Sequence, residues 1–121
     1  MATPPITQMD PNLTLTVTTV DNALRILFTT DANGQGLQEV FNFDTGGIGA
    51  PSPKATVDLT DVITGLKNKG ITSIYLVGIG TNYNGGGRII WKATSSGKTV
   101  VDINENLSTF TSKQWTNQLK F

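Results

Sequence analysis

Ile71 to Thr94 reads ITSIYLVGIGTNYNGGGRIIWKAT. Between Ile71 and Ile79, apolar side chains fall on both faces of an extended chain: Ile71, Tyr75, Val77 and Ile79 on one, Ile74 and Leu76 on the other. A strand with one wet face alternates, whereas a strand apolar on both faces needs cover on both sides. This segment is therefore expected to be the central strand of the fold. After a Gly/Asn loop the chain resumes as Arg88 to Ala93, β-branched and aromatic. The two segments are expected to pair as a long hairpin through the core. Gly78 to Gly80 would then belong to its loop, with Tyr83 farther out.

On the N-terminal side, Asn12 to Val20 alternates cleanly, with Leu13, Leu15 and Val17 opposite Thr14, Thr16 and Thr18. Asp21-Asn22 suits a tight turn, because both residues tolerate positive φ. Ala23 to Thr30 returns with Leu24, Ile26 and Phe28 on one face, although Leu27 spoils the polar face. Asn33-Gly34 marks another turn, and Gly36 to Phe43 is a third strand. Three sequential strands with short turns predict an antiparallel meander. Asp44 to Lys54, DTGGIGAPSPK, is too rich in Gly and Pro for a ladder and is expected to be a long loop.

The period then changes. Leu59, Val62, Ile63 and Leu66 fall at i, i+3, i+4 and i+7, one stripe of a short helix over about 59–68. Asp58 is placed to cap its start and Gly70 to end it in the left-handed region. Ser95-Ser96-Gly97 turns the chain into a strand from Lys98 to Ile103. Residues 108–121 fit either a strand face (Trp115, Leu119, Phe121) or a helix, and strict alternation favours the strand. The predicted fold is mainly β: an antiparallel β-sandwich or flattened barrel of about seven or eight strands with one short α-helix. Residues 1–11 form an extended N-terminal arm and 12–121 a single β domain.

Composition removes whole classes of chemistry. The chain has no histidine and no cysteine, which excludes a Ser-His-Asp triad, thiol chemistry and the usual transition-metal ligand sets. Nine basic residues balance nine acidic ones without a run of either sign, so no basic stripe offers itself to nucleic acid. The carboxylates show no calcium-loop spacing. SSGKT at 95–99 lacks the preceding glycine and following helix of a phosphate-binding loop. No apolar run approaches membrane-spanning length, and the N-terminus lacks the pattern of a secretory signal. A soluble chain is expected, with no cofactor, no metal and no enzymatic activity.

Charged residues make up 15% of the chain, against about one-quarter in ordinary globular domains. A surface of hydroxyls and amides favours packing against other protein. The arm holds three of the five prolines and offers Ile6 and Met9, and the long loop offers Ile48. These features point to a structural protein of a repetitive assembly, such as a capsid-decorating or tail component of a virus. Its partners would be protein subunits, further copies of the chain among them, and its location the virion or another soluble assembly. The alternative is a carbohydrate-binding module using Asn82, Tyr83, Asn84 and Trp115, since amides pair with sugar hydroxyls and aromatic faces stack on sugar rings.

Overall fold

The computed structural model describes residues 6–18, 22–31, 33, 35–36, 38–44, 56–82 and 88–121. Among them are nine strands and one helix: β1 (Ile6–Gln8), β2 (Thr14–Val17), β3 (Asn22–Thr29), β4 (Glu39–Asp44), β5 (Thr56–Asp58), α1 (Thr60–Asn68), β6 (Ser73–Asn82), β7 (Arg88–Ser95), β8 (Lys98–Asn106) and β9 (Thr111–Lys120). They form a five-stranded sheet ordered β1-β9-β6-β3-β4 and a four-stranded sheet ordered β5-β2-β7-β8. The β-sandwich read from the alternation is present. Its central strand is too, since β6 is the middle strand of the larger sheet.

Two pairings differ from the sequence expectation. β6 and β7 do not form a hairpin; they lie in different sheets and face each other across the core. The first strands do not form a meander either. β2 pairs with β5 and β7 in the smaller sheet, while β3 pairs with β4 and β6 in the larger. Alternation tells which residues of a strand point inward but not which of two sheets receives it.

Two glycines of β6 leave room for large rings in the core. Gly78 and Gly80 lie within β6, not in a loop, on the inward face with Ile74 and Leu76. A Cβ on Gly78 would lie 2.6 Å from the Trp91 ring, and one on Gly80 would lie 2.8 Å from the Trp115 ring. The bare backbone makes room for two indoles, which meet edge to face with centroids 6.5 Å apart. Trp91 comes from the opposite sheet. It shares the core with Leu24, Ile26, Phe28, Leu76 and Leu119 from one sheet and Leu15, Val17, Ile89 and Val101 from the other, all buried. Full burial of each such side chain contributes about 1.5–3 kcal/mol.

α1 closes one end of the sandwich. Leu59, Ile63 and Leu66 enter the core as the spacing predicted. The Asp58 carboxylate accepts the Thr60 amide and hydroxyl ahead of the first turn. At the other end the Gly70 N–H reaches the Lys67 carbonyl and the Ile71 N–H the Leu66 carbonyl, with Gly70 at φ 86°. This is a Schellman ending, which a left-handed glycine permits. The β7–β8 hairpin turns on Ser96 and Gly97, both at positive φ, as a two-residue type I′ turn requires. Residues 111–120 are a strand, paired along its whole length with β6.

Candidate interaction surface

The apolar content of β6 on its second face has a direct structural result. Ile74, Leu76, Gly78 and Gly80 face the core, and Tyr75, Val77 and Ile79 face the other way. Register sets Val40, Leu27, Val77 and Thr116 in one row across β4, β3, β6 and β9. A neighbouring row runs from Thr29 through Tyr75 and Gln118 to Ile6. Leu27, Val40, Tyr75, Val77 and Ile79 all lie outside the core cluster. Val40 is 39% exposed and Ile6 60%, while Leu27, Tyr75 and Ile79 are half-buried between neighbours on the same face. Val77, in mid-sheet between Leu27 and Thr116, is 7% exposed. On the β3, β6 and β9 part of this face the charged side chains are Arg25 and Lys120. The sequence signal for this surface was Leu27 on an otherwise polar face, together with the doubly apolar central strand.

The arm borders that surface. β1 runs parallel to the end of β9, with Ile6 beside Gln118 and Gln8 beside Lys120. The Met9 N–H continues the ladder to the Lys120 carbonyl at 2.9 Å. Ile6 lies on the outer face, whereas Met9 is only 5% exposed and belongs to the chain's own core. Of the three predicted contact residues, Ile6 is therefore on the surface and Met9 anchors the arm. Ile48 lies outside the described residues. Burying Met9 contributes about 1.5–3 kcal/mol and each ladder bond a net ~0.5–1.5 kcal/mol. Ordering the arm costs about 1–2 kcal/mol per residue, so it is held close to balance.

Of the residues considered for carbohydrate, Asn82 ends β6 and Trp115 lies midway along β9. The Asn82 side chain is 1% exposed and donates to the Leu107 carbonyl at 2.7 Å, and its backbone carbonyl accepts the Phe110 N–H at 2.6 Å. Trp115 is 7% exposed, packed under Gly80 with its Nε1 donating to Glu105 at 3.2 Å. Asn82 and Trp115 are thus framework, and Tyr83 and Asn84 lie outside the described residues. The exposed aromatic here is Phe110, 78% exposed at φ 59°. A bulky residue in the left-handed region costs about 1–2 kcal/mol. An apolar/polar pattern carries no sign of it, because φ is not visible there.

Glu105 and Lys113 clasp the two sheets at this rim. The carboxylate of Glu105 on β8 accepts from the Lys113 ammonium and Trp115 on β9, and the ammonium also lies 5.8 Å from the Trp115 ring centroid. The Lys113 hydrogen bond, and then that of Trp115, hold the Glu105 carboxyl below the usual carboxylate range despite some desolvation. The Thr60 hydroxyl and amide do the same for Asp58. A depressed folded pKa contributes stability that is present above the unfolded value and lost as pH falls through the folded one. Thermal melts should therefore show no side-chain titration step between about pH 6 and 8, where only histidine would ordinarily titrate. The melting temperature should decline in acid below about pH 4. Glu105→Gln should flatten part of that decline, and an unchanged acid limb would show that the clasp contributes nothing.

Among the described residues no three carboxylates converge to hold a metal, and no helix is long and apolar enough to cross a membrane. Comparison with protein-family models, curated proteins and solved structures gives no match.

Proposed function

We propose that this chain is a non-enzymatic structural subunit of a repetitive assembly, of the kind that decorates a capsid or builds a tail. It would pack against neighbouring subunits, including copies of itself, through the outer face of its five-stranded sheet. The observation that carries this reading is the row Val40, Leu27 and Val77 with Tyr75, Ile79 and Ile6 around it, an apolar sheet face outside the core. Val40 and Ile6 are its exposed members and the rest are partly buried among themselves; clustered apolar surface marks an interaction site more often than scattered single residues do. The low charge of the chain supports the same reading, because such a contact needs little electrostatic help.

Light scattering on the purified protein tests it. A mass above that of one chain is expected, changing little between low and high salt, since few charges are screened on association. Removing residues 1–8, which takes Ile6 and β1 away, should leave a cooperatively melting domain of lower mass. A strictly monomeric protein at every concentration would remove self-association from the reading. A carbohydrate-binding module is the second reading, favoured by the exposed ring of Phe110 beside Asn82. It requires glycan binding that disappears in Phe110→Ala or Tyr83→Ala and survives loss of the arm.

A further inference from the structure

The arm carries a more specific consequence, which rests on the proposed self-association. The strand β1 is three residues long, lies at a sheet edge and makes a parallel pairing, the others in both sheets being antiparallel. It is fixed by one inserted side chain, Met9, and by the Met9 and Asp10 amides, which reach the Lys120 carbonyl and the Ser95 hydroxyl. From there the chain crosses to the other sheet through Asp10, Pro11 and Asn12 before Leu13 is buried again. This crossing lies beside an open cleft of about 320 Å³ lined by Gln8, Met9, Asp10, Ser95, Lys98 and Val100. The link between arm and domain is thus short, contains a proline that restricts its bending, and borders open space rather than packed core.

We propose that the arm is exchanged between copies: Ile6 to Met9 of one chain pairs with β9 of a neighbour and places Met9 in that neighbour's core. The contacts that Ile6 to Met9 make at home are reproduced on the second copy, so exchange is governed by protein concentration and by the geometry of the link. The assembling unit then supplies its own cross-link. Ile6, exposed on β1, is delivered to the border of the partner's outer apolar face.

The chain has no cysteine, so an engineered pair reports the connection without interference. Ile6 and Gln118 are Cα partners in the parallel ladder and neither is buried, which suits a disulfide between adjacent strands. The Ile6→Cys, Gln118→Cys protein is concentrated, oxidised and run on denaturing gels without reductant, and the linked peptides are mapped. Exchange gives covalent dimers or a ladder joined 6 to 118, returning to single chains on reduction, with neither single-cysteine variant giving that linkage. Oligomers in solution whose 6-to-118 bond closes within each chain would overturn exchange and leave self-association standing. Intrachain closure in a protein that stays monomeric by sedimentation would overturn both.

Discussion

Leu76→Asp should yield a chain that does not fold. Leu76 is fully buried on the inward face of the middle strand, opposite Phe28 on β3 and Asn117 on β9. An ionised carboxylate there would have no cationic partner and would cost several kcal/mol, against a total stability of roughly 5–15 kcal/mol for a domain of this kind. Loss of the Leu side chain adds about 2–5 kcal/mol. Circular dichroism should show no cooperative melt. A folded Leu76→Asp protein would mean that β6 does not run through the core. The adjacent Val77 points to the opposite face, so Val77→Asp tests the outer surface as much as the interior.

The second large effect is expected at Trp91. Trp91→Ala should cost about 3–5 kcal/mol, read from urea midpoints, because the ring is fully buried and fills the space above Gly78. Among the described residues its Nε1 has no hydrogen-bond partner, and the ring's contribution is its volume in the core. Gly78→Ala alone should cost about 1–3 kcal/mol, since the new methyl forces a rigid indole to move. In the Trp91→Ala background that methyl meets empty space, and its cost should vanish or reverse. Such a coupling is what contact between two residues predicts. Additive costs would show that Gly78 is not the seat of Trp91.

These cases also show how much of the molecule is visible in its residue order. The inward sets of β2, β3 and β9, the helix stripe and the Schellman glycine follow from local chemistry, and all are legible in the alternation, the 3.6-residue period and the placement of Gly70. Sheet membership was not legible. β6 stacks on β7 with Gly78 seating the Trp91 indole from the opposite sheet, and spacing alone made Gly78 and Gly80 resemble a loop. The surface was half legible. Apolar residues on both faces of Ile71 to Ile79 correctly marked a strand with two apolar faces, but not that the described elements pack against only one of them. Ile6 was singled out through the prolines around it. Leu27 stood out as an apolar residue on a polar face, and Val40 joins it only once β4, β3 and β6 are in register.

The outer face itself is tested most directly by Val40→Asp. Val40 is exposed on an edge strand, so a charge there should change stability by no more than about 1 kcal/mol, and the protein should still melt cooperatively. In an association surface the same charge would be driven against apolar neighbours without a partner, which is costly. Sedimentation velocity of the wild-type and Val40→Asp proteins at matched concentrations should show oligomers for the first and a shift to single chains for the second. Identical distributions for two equally folded proteins would show that this face is not where the subunits meet.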